Sequence, residues 1–333
     1  MGNTAVPIVR SLRSERAWFV RRIVLSVLFL LVVAVPLFPE LFGLDELTPF
    51  TQVAAFRPQI LVVVLVLALL MLVRRGWRIA AASIAVLALI GAALTTPRQF
   101  SHARPAPAGS RPLTIMVANV LGGAARAADV AQLILDRKPD LVSLPEAQAD
   151  VREQIRALLP GRQYKGYTAQ ASSAAPSATS VLVSPALGDV AFASEPGTTF
   201  GNVVVTGGNL GEVRLIAYHG YPPLPASVTT WAHDLLKVRE WCSQDPPTVI
   251  AGDYNATVDH ADFRAALGGY CRSVGPSVGG GLQGTWPADQ PAVLRTQIDH
   301  VVVTRQFEPG RFATYPIHGT DHRAVVATIA LKP

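Results

Sequence analysis

In the second half of this chain, apolar β-branched runs repeatedly end on a polar residue that can bind a cation or move a proton. Asn119 follows LTIMVA, Glu146 follows LVSLP, and His219 closes VRLIAYH. Asp253 and Asn255 follow TVIAG, Asp299 and His300 open DHVVV, and Asp321 and His322 stand just before RAVVATIAL. Side chains at the ends of rigid elements are held more accurately than side chains on free loops, so such a set can converge on one rim. Several carboxylates on a single rim repel one another, and a divalent cation removes that cost. Oxygen donors of this kind suit Mg²⁺, which takes one or two carboxylates and completes its shell with water and substrate phosphate.

The elements that must position these residues follow from the spacing of apolar positions. Strands are expected at Leu113–Val117, Leu141–Leu144, Ser180–Val183, Val203–Thr206, Val213–Tyr218, Thr248–Ala251, Ile298–Val303 and Ala324–Leu331. Helices are expected at Ala127–Arg137, Val151–Leu159, Val228–Cys242 and Ala261–Leu267. In the third helix, Trp231, Leu235 and Val238 recur on one face. The mixture implies a layered α/β domain with two sheets packed between helices. Its strand-rich middle argues against a simple parallel βαβ repeat.

The first third has a different character. Half of the 333 residues are hydrophobic and 16% are charged, against about 25% charged in a soluble domain. Three apolar runs, Ile23–Leu41, Pro58–Val73 and Ile79–Leu94, stand close together with charges only at their flanks. A spanning helix needs about 20 apolar residues, so three transmembrane helices are expected within residues 23–96. Arg10, Arg13, Arg16, Arg21 and Arg22 precede the first run, and Arg74, Arg75 and Arg78 lie between the second and third. The intervening loop holds Glu40, Asp45 and Glu46 against Arg57. Basic loops stay inside, so residues 1–22 are expected in the cytoplasm and everything after the third run outside it. Arg98, Arg104 and Arg111 weaken this reading slightly. No small-x-small cleavage site follows the first run. Residues 97–111, PRQFSHARPAPAGSR, read as a tether to a domain at 112–333.

The net charge of +6 is unevenly spread. Residues 1–111 hold 12 Lys+Arg and 4 Asp+Glu, whereas residues 112–333 hold 17 and 19, a net of −2. The domain therefore lacks the overall basicity of a duplex-DNA binder, and the expected partner of the basic part is the lipid bilayer.

Taken in order, VANV, DLVSLPE, AYH, AGDYN, IDHVVV and GTDHRAV resemble the motif series of the endonuclease/exonuclease/phosphatase superfamily, over nearly all of residues 112–333. GTWP at Gly284–Pro287, with three helices ahead of an external domain, is similar to a bacterial membrane-bound branch that includes glycopeptide-resistance-associated proteins. The resemblance implies a four-layered α/β sandwich, two mixed β-sheets between helices, that hydrolyses phosphate esters with Mg²⁺ or Mn²⁺. It implies that Glu146 binds the metal, that Asn119 supports metal and phosphate, and that Asp321 completes the metal site. Asp253 would orient or deprotonate the attacking water, and Asn255 and His219 would hold phosphate oxygens. His322 would face the phosphate with Asp299 behind its ring, an arrangement that favours the imidazolium and neutralises charge developing on the phosphoryl oxygens. His300, one residue from Asp299 on a strand, should point the other way and be structural. Pro145 stands where many relatives have Gln, Tyr254 where Phe is frequent, and Ala324 where Pro is frequent. Residues 160–212 carry no substrate signature. A membrane-anchored hydrolase could reach lipid-linked phosphate or pyrophosphate.

Three other readings compete. Gly275-Pro-Ser277-Val-Gly279 matches G-x-S-x-G, with Asp299 and His322 following in α/β-hydrolase order, but Gly279, Gly280 and Gly281 disfavour the helix that a nucleophile elbow needs. A surface nuclease and an inactive membrane scaffold or receptor on the same fold remain the alternatives. The two cysteines, Cys242 and Cys271, flank the same expected strand, lack metal-ligand spacing, and lie where disulfides persist. They can form one bridge or remain two buried hydrophobes.

Overall fold

The computed structural model describes residues 7–332. Residues 1–6 of the basic N-terminus, and Pro333, lie outside the described residues. The helices that matter below are, in chain order, α1 (Pro7–Leu37), α2 (Phe50–Ala54), α3 (Arg57–Leu72), α4 (Arg78–Thr95), α5 (Pro97–Phe100), α6 (Ala127–Arg137), α7 (Ala149–Ala157), α8 (Val228–Ser243), α9 (Ala261–Leu267) and α10 (Val274–Ser277). The strands are β1 (Pro112–Val117), β2 (Leu141–Pro145), β3 (Lys165–Gln170), β4 (Ala178–Val183), β5 (Val190–Glu195), β6 (Asn202–Gly207), β7 (Arg214–His219), β8 (Thr248–Asp253), β9 (Cys271–Ser273), β10 (Asp299–Thr304), β11 (Phe307–Pro316) and β12 (Arg323–Leu331).

Two compact units result. The first holds Met1–Leu44 and Arg57–Leu94, and the second holds Asp45–Phe56 and Thr95–Pro333. In the first unit, Leu37, Phe38, Leu61, Val64, Ala68, Ile84 and Ala88 pack together, and Arg57 pairs with Glu40 at 2.7 Å. Most of the remaining apolar side chains, among them Val32, Val62, Leu70, Ile79 and Leu89, are exposed. Two helices among the described residues are long and apolar enough to cross a membrane, Ala17–Leu37 and Arg75–Phe100. The expected second span is instead the 16-residue α3. At 1.5 Å per residue it is about 24 Å long, short of a hydrocarbon core of about 30 Å.

The second unit is an α/β sandwich. One six-stranded sheet runs β11-β12-β1-β2-β4-β3 and the other β5-β6-β7-β8-β10-β9. Both are mixed, each with a single parallel pair, β1–β2 and β7–β8. Their inner faces bury Ile115, Val117, Val181, Val205, Leu215, Val249, Val301 and Val325 against one another. Helices α6 and α7 cover the outer face of the first sheet through Val130, Ile134, Val151 and Ile155. Helices α8 and α9 cover the second through Trp231, Leu235, Val238 and Phe263. The alternation of the strands explains the layering: odd positions such as Val249 and Ala251 join the inner core while Ile250 faces the helices.

Register does the positioning. His219 lies opposite Asp253 on the parallel pair β7–β8, and Asp253 lies opposite Asp299 on the antiparallel pair β8–β10. Three adjacent strands thus place His219, Asp253 and Asp299 in one row. The row requires Gly252, where a Cβ would run into the Tyr218 carbonyl of the neighbouring strand.

Two segments belong to this unit despite their place in the sequence. Residues 97–100, expected as part of the tether, form α5, and buried Arg98 pairs with Asp259 at 2.8 Å. The segment 45–56, expected as an external loop, packs here as well. Cys242 and Cys271 are joined as a disulfide, their Cα atoms 5.5 Å apart and 29 residues apart in sequence. Closing a loop of that length is worth about 3–4 kcal/mol in the chain-entropy model. Replacing both cysteines by Ser should lower the unfolding free energy of the protein by about that amount, read from denaturant titration. Two thiols freely alkylated without reduction in protein isolated from its native host would show that no bridge forms there.

Candidate active site

The site sits where corresponding ends of the two sheets meet. The first sheet contributes Asn119 beyond β1, Glu146 beyond β2, and Asp321 and His322 just before β12. The second contributes His219, Asp253 and Asp299, with Asn255 two residues past β8. Glu146 and Asn255 both adopt positive φ, 62° and 48°. A non-glycine residue rarely holds that conformation unless its surroundings fix it, and such residues cluster at functional sites. Asn255 is fixed by its own turn: its N–H donates to Asp253 Oδ1 at 2.8 Å and its Nδ2 donates to Gly220 O at 3.1 Å.

Asn119 is the bridge between the sheets. Its Nδ2 donates to Glu146 Oε1 and to Asp253 Oδ2, both at 3.0 Å. Its Oδ1 accepts the Leu121 N–H at 2.9 Å, and its own carbonyl accepts the Thr320 hydroxyl at 2.9 Å. The amide oxygen therefore faces away from the carboxylates. Asn119 supports the acids through its nitrogen, and ligation through Oδ1 would require releasing Leu121.

His322 and Asp299 form the electrostatic centre. Both are buried, and His322 Nδ1 donates to Asp299 Oδ2 at 2.9 Å. Its Nε2 lies 3.7 Å from Asp253 Oδ2 and 3.8 Å from Asp321 Oδ1. Burial pushes the imidazole down, but the charges of Asp299 and Asp253 and the Asp299 hydrogen bond outweigh it and raise the pKa to about 10. Asp253 moves up, to about 7, through burial and the charge of Asp299, against the pull of His322. His219 behaves oppositely. Burial, with the charge of His322 nearby, drives it down to about 3, and its Nδ1 lies 2.9 Å from the Pro176 carbonyl. The neutral ring therefore carries its hydrogen on Nδ1 and turns an acceptor, Nε2, towards Asp253 Oδ2 at 3.9 Å.

Ligand atoms of Asp253, Asp299 and His322 lie within 4.8 Å of one another, a buried group that could hold a metal ion. Two buried carboxylate oxygens nearby, Asp299 Oδ1 and Asp321 Oδ1, have no hydrogen-bond partner. Buried carboxylate oxygens are normally satisfied, and here acids on neighbouring strands face each other with one imidazolium among them. The site is short of positive charge, and a divalent cation fits that deficit.

Several residues with no assigned role in the motifs help hold the site. Thr285 Oγ1 accepts the N–H groups of Ile298 and Asp299 at 3.1 and 3.2 Å. Trp286 Nε1 donates to Asp321 Oδ2 at 3.0 Å, and Phe200 stacks on His219 with ring centres 4.6 Å apart. GTWP carried the signal for the first two, whereas Phe200 lies in the Gly/Ser-rich middle and gave none. His300 is buried between the Ala256 carbonyl and the Ser273 hydroxyl, on the other face of β10. Ser277 donates its hydroxyl to the Ser273 carbonyl at 2.7 Å, while His322 Nε2 has acids for neighbours, so no nucleophile elbow is assembled.

A model of the endonuclease/exonuclease/phosphatase family matches residues 116–322, more than half of the chain. The chain belongs to the endonuclease/exonuclease/phosphatase family. Members of that family are phosphoester hydrolases that use divalent metals. No curated protein matches the chain at a significant level. Among solved structures, a Danio rerio TDP2 humanized by 14 mutations is similar at 18% identity and a TM-score of 0.54, covering 66% of this chain and 98% of its own. A truncated Caenorhabditis elegans TDP2 is similar at 17% identity and a TM-score of 0.53, covering 66% and 98%. A Bacteroides vulgatus endonuclease/exonuclease/phosphatase protein is similar at 15% identity and a TM-score of 0.50, covering 67% and 100%. At these identities the likeness shows the fold of the family, here assembled on residues 112–332.

The Asp299–His322 pair gives a pH signature. The folded-state pKa of His322 lies above its ordinary 6.5, so the pair contributes its full stability below about 6.5 and loses it as the pH rises through about 10. In EDTA, the stability gap between wild type and Asp299→Asn should be wider at about pH 6 than at pH 8 and shrink further towards pH 10. A gap that widens with rising pH would show that His322 is neutral in the folded protein.

Proposed function

We propose that this protein is a membrane-anchored, Mg²⁺- or Mn²⁺-dependent phosphoester hydrolase that acts outside the cytoplasm on a lipid-linked phosphate or pyrophosphate. The observation that carries the hydrolase reading is the convergence of Asn119, Glu146, Asp253, Asn255, Asp299, Asp321 and His322 at one end of the sandwich, with acids in excess of cations. The exposed apolar helices of the first unit and the Arg-rich flanks support the anchor and its orientation, with residues 1–22 inside. They also support the membrane-bound branch that GTWP suggests.

A divalent cation held by Glu146 and Asp321, with Asn119 fixing Glu146, would supply Lewis-acid neutralisation of the phosphoryl oxygens. Asp253 orients the attacking water and accepts its proton. One of its oxygens is pinned by the Asn255 N–H and the other is shared with Asn119. A pKa near 7 in the absence of metal suits a proton acceptor at working pH. His322, kept cationic by Asp299, meets the charge that grows on the phosphoryl oxygens as the bond to the leaving group breaks. Asn255 holds a further phosphate oxygen through its amide. His219 offers an acceptor while neutral and becomes a donor only when a phosphate dianion draws a proton to it.

A surface nuclease of the same family is the alternative within the enzyme class. The net charge of −2 over residues 112–333 denies it the overall basicity that duplex DNA rewards. An inactive scaffold or receptor is the alternative outside it, and retention of the whole acid and histidine set speaks against that.

Purified full-length protein should hydrolyse phosphoesters with Mg²⁺ or Mn²⁺ and stop in EDTA. A screen across isoprenoid pyrophosphates, phospholipids, inositol phosphates and DNA identifies the substrate. Asp253→Ala, Asn255→Ala and His322→Ala should each cost roughly 10²–10⁴ in rate, and Glu146→Ala should weaken the response to metal. His300→Ala should cost far less. Full activity in chelator sinks the metal reading. For the topology, a reporter fused after Pro333 should be exported and one inserted after Gly76 should stay inside, and the reverse pattern would move the site to the cytoplasm.

A further inference from the structure

The segment 45–56 lies in sequence between two apolar helices, α1 and α3, yet it belongs to the unit that carries the site. It touches three loops that frame the site. Gln52 Nε2 donates to the Pro223 carbonyl at 2.5 Å and Thr48 Oγ1 to the Pro225 carbonyl at 3.4 Å, in the loop that follows His219. His260 Nε2 lies 2.9 Å from the Thr51 carbonyl, and its Nδ1 accepts the Thr257 N–H at 2.9 Å, in the loop that follows Asn255. Thr296 Oγ1 donates to the Ala55 carbonyl at 2.7 Å, three residues before Asp299. Thr296 in turn exchanges backbone hydrogen bonds with Trp286, the residue that holds Asp321.

On this segment and on the loops it contacts, several large apolar side chains are exposed. Leu47 is 52% exposed, Leu224 55%, Val293 76% and Leu294 47%. Leu224 stands between Pro223 and Pro225, which receive the Gln52 and Thr48 bonds, and Leu294 is two residues from Thr296. Chain continuity limits what can cover them. Leu47 is three residues from Leu44, where the first unit breaks off, and Ala55 is two residues from Arg57, where it resumes with α3. Three residues of extended chain reach about 10 Å. The segment that carries Leu47 is therefore joined within a few residues, at both of its ends, to the unit whose apolar side chains are exposed.

We propose that Leu47, Leu224, Val293 and Leu294 form a lipid-contacting rim, seated in the headgroup boundary of the bilayer, and that segment 45–56 ties this rim to the loops bearing His219, Asp253, Asn255 and Asp299. The site then takes its phosphoester from an amphiphile resident in the membrane in preference to a soluble ester of the same headgroup. This rests on the membrane-anchored hydrolase reading above and adds to it the surface by which the substrate arrives. Burial of apolar side chains of this type is favourable, so four of them at a boundary hold a tethered domain against the membrane without a further span.

The test uses the full-length chain, whose two cysteines are bridged, so a single introduced cysteine can be labelled alone. Leu224→Cys and Val293→Cys carry an environment-sensitive NBD label in nanodiscs of phosphatidylcholine and phosphatidylglycerol. Leu158→Cys, at the exposed end of α7 that runs away from the site, is the reference. Labels at 224 and 293 should shift to the blue and be quenched by lipid spin-labelled near the headgroup, with the label at 158 unaffected. Equal quenching at all three positions, or none at 224 and 293, overturns the rim. A Leu224→Asp, Val293→Asp double variant should lose about tenfold in its rate on dioleoyl phosphatidic acid relative to its rate on p-nitrophenyl phosphate. An equal loss on both esters would mean a structural role only and also overturns it. If wild type hydrolyses neither ester, the hydrolase reading fails on these substrates while the quenching still decides the surface.

Discussion

Two buried aspartates facing each other across a β-ladder are the constraint around which the rest of this domain is arranged. Asp253 and Asp299 occupy opposed positions on β8 and β10, and like charges so placed are destabilising. The cost is met in pieces. His322 brings a positive charge from the other sheet, Asn119 lends an amide N–H across the gap, and the Asn255 and Gly252 backbone lets the chain turn away without a steric clash. Each compensation comes from a different element, which is why the sandwich needs both sheets to make one site. The same tension explains why the acids would welcome a cation and why the imidazole stays charged far above its ordinary range.

Much of this was legible in the sequence because the residues in question sit at strand ends. Apolar runs such as TVIAG and LVSLP announce a buried strand, and the polar residue after each marks the edge of the sheet. Helices α6, α8 and α9 follow their amphipathic periodicity closely. The strands that escaped notice, β3, β5, β9 and β11, are the edge members of the two sheets. Edge strands bury one face at most, tolerate Pro and Gly as β11 does with Pro309 and Gly310, and so lack the apolar run that gives a central strand away. The site role of Thr320 is invisible for another reason: its hydroxyl acts on the Asn119 carbonyl, 201 residues away in sequence.

The first third of the chain is less legible. Composition distinguishes apolar helix from polar loop, but it does not say which unit a loop packs on. Segment 45–56 looked like a short external connection and 97–100 like the start of a tether. Both gain their structure from long-range partners, Thr51 with His260 and Arg98 with Asp259, contacts that no local pattern encodes. The 16 residues of α3 illustrate a limit of the same kind, since hydropathy delimits an apolar stretch while the backbone decides where the helix stops.

The order of strands in the first sheet has a consequence for how this domain comes into being. Strand β1 opens the domain and β12 closes it, yet the two are neighbours, Leu113 opposite Ile329 and Val117 opposite Val325. Until the last segment has been made, β1 has an unpaired edge, the sheet is split between β11 and β1, and His322 is missing from the row of acids. Pairings between residues so far apart in the chain form late. A nascent or clipped chain therefore carries Asp253 and Asp299 without their imidazolium, and the candidate site is complete only once β12 has paired with β1.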